Sequence, residues 1–290
     1  MGVGPEQNLT YIAMMEPRMA YIIDIRRENM LEHMMLRAMI EASETRAAFL
    51  ERLTSRQPPP IETTAGEPPS LDDLMTRVAV TRPQPELVKQ GVDDTVELMK
   101  RLGVPLQKGD RASIENVVQA FAKKGVDISY TMERSKRRYP KLREILTATD
   151  PSGTPRSFLA TEESYSVVRS LLKANRVVPV VGDFCGERAL KGIADDVRAR
   201  GLELGVFYTS NVEQYLFKAH CYDRFVDNVK AFPIDGESVF IRVWFDQGRS
   251  HPKQRPHHRT TTVVMPVETS LSRWDAGAYR NYWRVVIDEP

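Results

Sequence analysis

Two glycines, Gly2 and Gly4, open the chain in the stretch "MGVGPEQN", and an acid, Asp24, stands twenty positions after the second. A Gly-x-Gly loop lets backbone approach a ligand closely and aims a helix N-terminus at it. An acid at the end of the following strand can accept hydrogen bonds from a ribose diol. The dinucleotide fingerprint needs a third glycine where Gln7 stands, so the pyrophosphate cradle is incomplete. The spacing therefore suits a nucleoside without phosphates and counts against a nicotinamide dinucleotide.

Ligands of open α/β sheets bind beyond the carboxyl ends of the strands. Asp24, Arg26 and Asn29 follow "AYII"; Gly182, Asp183 and Phe184 follow "VVPVV"; Ser210, Asn211, Glu213 and Tyr215 follow "LGVFYT". Polar residues also end strands simply because strands reach water. Three polar ends together favour a ligand.

Other clusters have two readings each. In "TATDPSGTPRSFLATEE", Arg156 either grips an anionic group of a substrate or pairs with a nearby carboxylate, while Glu162 and Glu163 cap the next helix. His251, His257 and His258 lie in a Pro-broken loop, 247–258, without a carboxylate partner, which favours a solvated loop over a metal site. The basic run "ERSKRRYPK" reads as a solvated helix end rather than a phosphate-binding patch, because the net charge is only +2. Cys185 and Cys221 provide neither a disulfide framework nor zinc spacing, and Cys185 reads as a small buried thiol.

The elements that must hold these residues alternate. Strands are expected at 19–24, 177–182, 203–209, 238–245, 260–267 and 282–288, the last two pairing antiparallel. Helices are expected at 8–17 and 30–54, in several pieces between 70 and 148, and between the later strands. This pattern predicts an α/β sheet covered on both faces. Residues 1–55 form its first part, 56–70 a Pro-rich linker loop, 71–150 a helical insertion, and 151–290 its second part. Adding one strand before Gly2 brings the count to seven, so the first strand is expected to be missing or to lie upstream.

That count and order are those of Rossmann-like class I S-adenosylmethionine methyltransferases. The blocks "GVGPEQNLTYIA…RMAYIIDIRREN", "YPKLREILTATDPSGTPRSFLATEESY", "VVPVVGDFCGERAL" and "VFYTSNVEQYLF" together resemble an uncharacterised family of bacterial proteins that carry a methyltransferase-like Rossmann domain. The resemblance spans about residues 2–245. It matches at Gly2, Gly4, Pro5, Glu6, Gln7, Asn8, Asp24, Arg26, Asn29, Asp183, Asn211, Glu213 and Tyr215. It implies S-adenosylmethionine as cofactor, with Gly2, Gly4, Glu6, Asn8, Arg26 and Asn29 around it and Asp24 on the ribose. Asp183 would accept from the adenine amino group and Phe184 would stack on the ring. Asn211 would orient an acceptor atom, Glu213 act as base, Tyr215 wall the pocket, and Ser210 and Arg156 meet the substrate. The Asn-Pro-Pro-Tyr type signature of amino methylators is missing, so the acceptor is open. A non-catalytic nucleoside-binding or regulatory protein is the alternative.

Composition sets the outer limits. Apolar residues at 41% and charged residues at 28% are ordinary for a globular chain. No apolar run reaches the roughly 18 to 20 residues of a membrane helix. No basic segment followed by an apolar core marks a signal peptide. With only two cysteines, a cytoplasmic protein is expected, with no membrane partner and no indication of nucleic acid.

Overall fold

The computed structural model describes residues 1–60, 69–129, 139–246 and 248–288. The basic run 133–141 lies mostly outside the described residues, as does the centre of the linker 56–70. In chain order the elements are α1 (Gln7–Met15), β1 (Ala20–Asp24), α2 (Arg27–Glu41), α3 (Arg46–Thr54), α4 (Leu71–Val80), α5 (Pro85–Arg101), α6 (Asp110–Lys124), α7 (Leu142–Leu146) and α8 (Glu162–Lys173). There follow β2 (Val177–Val181), α9 (Ala189–Ala199), β3 (Val206–Ser210), α10 (Val212–Lys218), α11 (Tyr222–Lys230), β4 (Val239–Phe245), β5 (Thr260–Pro266), α12 (Val267–Asp275) and α13 (Tyr282–Val286). They divide into two units: Met1–Gly4 with Ala20–Arg27 and Pro179–Pro290, and Pro5–Met19 with Glu28–Val178.

The first unit is mixed α/β. A two-stranded sheet holds β1 and β2, and a three-stranded sheet runs β3-β4-β5. β3 and β4 are parallel, and β4 and β5 antiparallel. Met1–Val3 lies between the two sheets: Gly2 forms parallel bridges to Ile22 and to Tyr208. Gly2 N–H donates to Tyr21 O at 2.9 Å, Ile23 N–H to Gly2 O at 2.8 Å, and Val3 N–H to Tyr208 O at 3.1 Å. The position expected for a strand before the glycine loop is thus held by a three-residue segment, and Gly2 belongs to that segment rather than to the loop. All five residues of β1 are buried, which suits its unbroken apolar run.

The expected strand 282–288 is instead α13. Asn281 caps it, its side chain accepting from Arg284 N–H at 3.1 Å. Tyr282, at its first position, is buried, and its hydroxyl donates to Ser210 O at 3.0 Å and Val243 O at 2.9 Å. A Val/Ile run of this length reads equally as a buried helical turn. β5 is therefore left without the hairpin partner that the pattern predicts.

The second unit is helical. The single helix expected over 30–54 is two, α2 and α3, broken at 42–45. Thr45 caps α3 by accepting from Ala48 N–H at 3.2 Å. Ser and Thr compete for backbone bonds and so favour caps over helix interiors. The core includes Phe49, with Phe158 and Tyr165 rings each 5.9 Å away. Buried Arg46 donates to Leu159 O, Ala160 O and Pro69 O and pairs with Glu162 at 3.2 Å. Among the described residues no helix is long and apolar enough to cross a membrane.

Candidate functional site

Gly2, Gly4, Asp24, Arg26, Asp183, Phe184, Ser210, Asn211, Glu213 and Tyr215 fall in the first unit, and Glu6, Asn8, Asn29 and Arg156 in the second. The segment Met1–Val3 runs into Gly4, whose φ of +90° is left-handed and whose missing Cβ would meet nothing within 4 Å. Here glycine turns the chain away from the sheet in a conformation that other residues adopt at a cost.

Asp24 ends β1 with its carboxylate almost fully buried. Its Oδ1 accepts from Arg26 N–H at 2.9 Å and Arg26 Nε at 3.1 Å, and its Oδ2 from Arg26 Nη2 at 3.2 Å. Arg26 thus fixes the carboxylate in orientation. Gly182 N–H donates to Asp24 O at 2.9 Å, which sets the ends of β1 and β2 side by side. Two apolar residues that the sequence reading passed over stand at these ends: Ile25 is 67% exposed and Val181 42% exposed. Ile25 directly follows Asp24 and Val181 directly precedes Gly182, so two exposed aliphatic residues adjoin the strand ends.

Gly182 serves helix packing. A Cβ there would lie 2.2 Å from Ala189 Cβ, so only glycine lets α9 approach β2 this closely. Asp183 Oδ1 accepts from Cys185 N–H at 2.9 Å, closing a tight turn with Gly186 N–H on Asp183 O at 3.0 Å. Asn228 clamps the same loop, donating to Phe184 O and Gly186 O, each at 2.9 Å. Cys185 and Cys221 form a disulfide that ties the loop to the start of α11. The expectation of a free buried thiol is corrected: a residue 36 positions away supplies the second sulfur, which spacing alone could not reveal.

Phe184, expected as a stacking face, points into the core. It is buried against Phe207 at 5.2 Å and Phe225 at 5.7 Å, at the centre of an aromatic core. Glu213 is likewise no exposed base. It is fully buried and ion-paired with Arg242 at 2.8 Å, both side chains 0% exposed. Its Oε1 also accepts from Thr209 Oγ1 at 2.7 Å, and its Oε2 from Tyr222 OH at 2.8 Å. Arg242 donates onward to Ser270 Oγ at 2.8 Å. Burial opposes the Arg242 charge, yet Glu213 and the neighbouring tyrosines raise its pKa overall. Burial, with the Glu213 charge beside it, drives the Tyr222 hydroxyl well above its ordinary value. A central Arg in the apolar strand "VFIRVWF" was the sequence signal for this network, because a buried cation requires a buried acid.

At the end of β3, Ser210 has a φ of +51° and follows a shift in strand register. Its carbonyl is fixed by Tyr282. Asn211 precedes α10 at its N-cap position, without a side-chain capping bond. Tyr215 is 55% exposed, with Lys218 Nζ 5.6 Å from its ring centre. The end of β3 thus presents Ser210, Asn211 and Tyr215, while Glu213 turns inward.

In the second unit, burial raises the carboxyl pKa of Glu6, against a backbone hydrogen bond that lowers it. Asn8 is buried, and its Nδ2 donates to Pro5 O at 3.2 Å. Asn29 is buried as well. Arg156 pairs with Asp150 at 2.8 Å, the carboxylate reading, inside a turn in which Ser152 and Thr154 N–H groups also bind Asp150. Thr161, not Glu162, supplies the α8 cap, accepting from Ser164 N–H at 3.1 Å.

His251 is buried rather than solvated. Its Nδ1 accepts from Lys253 N–H at 3.1 Å, so its Nε2 at 2.9 Å from Val286 O is the donor. His257 and His258 are exposed. Among the described residues no group of three or more His, Cys, Asp or Glu side chains is placed to hold a metal.

No curated protein sequence matches this one. Residues 1–64 and 77–280 match a family described as a domain of unknown function, DUF7790. That match takes in Gly4, Asp24, Ile25, Val181, Asp183, Asn211 and the Glu213–Arg242 pair, and on its extent the chain belongs to the DUF7790 family.

Proposed function

We propose that the first unit is a methyltransferase-like domain that binds S-adenosylmethionine through its nucleoside. One observation carries the reading: Asp24, fixed at the carboxyl end of β1, neighbours a strand segment that runs into the left-handed Gly4 and stands beside the exposed Ile25 and Val181. Hydrogen bonding places the strands in the order β2, β1, Met1–Val3, β3, β4, β5, with the last antiparallel. Among the described residues this order supports a methyltransferase-like sheet without the outermost strand.

The residues fit the nucleoside. Asp24 accepts from ribose hydroxyls through its carboxylate oxygens. Ile25 and Val181 cover the base, and the Asp183 turn borders its edge. The cofactor supplies an electrophilic methyl group on a sulfonium. Ser210, Asn211 and Tyr215 at the end of β3 line the acceptor side. Glu213 does not line that side, since its side chain is fully buried against Arg242. That burial also favours a second reading, a nucleoside-binding regulatory domain without turnover.

Calorimetry with S-adenosylhomocysteine and adenosine tests the proposal, alongside transfer of a labelled methyl group from S-adenosylmethionine. Asp24→Asn takes the charge from a hydrogen bond worth about 1.5–3 kcal/mol, so binding weakens roughly 10- to 150-fold. Binding without methyl transfer to any acceptor tried supports the regulatory reading. A folded wild-type chain that binds neither ligand refutes both.

A further inference from the structure

Among the described residues the outer edge of β5 has no strand partner. Val239 N–H donates to Gly205 O, so the odd residues of β4 turn toward β3 and its even residues toward β5. Val267 N–H donates to Ser238 O, and Asp246 N–H to Arg259 O, both at 2.8 Å. Val263, paired with Arg242, and Thr261, paired with Trp244, therefore face β4 with their N–H and C=O groups. Those of Thr260, Thr262 and Val264 face away. No backbone hydrogen bond among the described residues reaches them. The side chains of the same three residues are exposed, Val264 by 52%.

Edge strands are normally blunted by charge, proline, bulges or a covering element. The run "TTTVVM" has no charge, is rich in β-branched residues, and meets proline only at its end, Pro266. The helical 282–286 removes the strand that would have covered it. The ends of β5 carry opposite charges: Arg259 precedes it, also neighbouring Asp246, and Glu268 follows it. An antiparallel copy of the same strand reverses those ends.

We propose that β5 pairs antiparallel with β5 of a second copy of this chain about a twofold axis. With the axis at Val263, Thr262 faces Val264 of the second copy, and each outward N–H finds a carbonyl. Arg259 then comes to the end where Glu268 of the second copy stands. The interface is isologous and closes on itself, so it yields a dimer rather than a filament. A strand pair alone buries little surface, which makes the dimer a weak, concentration-dependent one.

Sedimentation velocity of the full chain, from about 5 to 200 µM, brackets a dissociation constant in this weak range. The wild type shows monomer and dimer shifting with concentration. Val264→Pro deletes one outward donor and leaves the ladder to β4 intact. Val264→Lys puts charge on the open edge and is tolerated at an exposed position if the proline variant fails to fold. Each lowers the association constant at least tenfold. Arg259→Glu alone and Glu268→Arg alone also weaken the dimer, and the two together restore it. A wild type that stays monomeric throughout overturns the proposal, as does a dimer indifferent to both Val264 variants.

Discussion

Glu213→Gln separates a structural carboxylate from a catalytic one. The substitution keeps size and shape but removes the charge that faces Arg242, whose guanidinium is fully buried. Three donors lose their carboxylate acceptor: Arg242 Nε, Thr209 Oγ1 and Tyr222 OH, at 2.8, 2.7 and 2.8 Å. Arg242 keeps its bond to Ser270 and its position over the Phe240 ring, 4.2 Å from the centroid, and neither neutralises it. Removing one partner of a buried pair costs about 3–5 kcal/mol. That is a large part of a domain stability of about 5–15 kcal/mol. At roughly 2–4 °C per kcal/mol for a unit of this size, the melting midpoint falls on the order of 10 °C. Circular dichroism melts and urea titrations read the effect. Pairing Glu213→Leu with Arg242→Met removes both charges together and recovers most of the loss, since an apolar replacement of a buried pair is often neutral. A Glu213→Gln variant of unchanged midpoint that has lost methyl transfer would falsify this account and return Glu213 to the role of base.

Gly182→Ala forces a Cβ to 2.2 Å from Ala189 Cβ and destabilises the first unit by about 1–3 kcal/mol, whereas Gly192→Ala in α9, with open space around it, stabilises by about 0.5–1 kcal/mol. Equal melting shifts for the two would contradict the close approach of α9. Replacing both Cys185 and Cys221 with Ser releases a loop of 36 residues and costs about 4 kcal/mol in the chain-entropy account; intact mass before and after reduction checks that the bond is present in the purified chain. Burial, then the hydrogen bond to Asp196, pushes the Tyr21 phenol up to about 12. The raised folded value means that its contribution to stability is complete below pH 10 and is lost as pH rises toward 12. The tyrosinate absorbance difference between wild type and Tyr21→Phe shows this titration, and a midpoint at 10 contradicts the buried hydrogen bond.

Five strands were legible in the chain because each is a short β-branched run bounded by turn residues, and such runs carry their own signal. The helices of 71–146 were legible from their apolar stripes and caps for the same local reason. Asp24 could be singled out because a strand end is a local feature. Local patterns stop at questions that depend on who lies opposite. The run at 282–288 suits strand or helix, and the buried bonds of Tyr282 to Ser210 and Val243 chose helix. Glu213 reads as a free acid until Arg242, 29 positions on, is seen to need a counter-ion. Phe184 reads as a stacking face until Phe207 and Phe225 close around it. Two scattered cysteines become a bond only when α11 brings Cys221 to the loop after β2. Even Gly2 changed meaning, from loop to sheet, through hydrogen bonds to Tyr21 and Ile23. Periodicity and turn chemistry act over a few residues and determined the elements by themselves. Burial and charge pairing act between elements far apart in the chain, and only tertiary structure could decide which polar groups stay exposed and which hold the core.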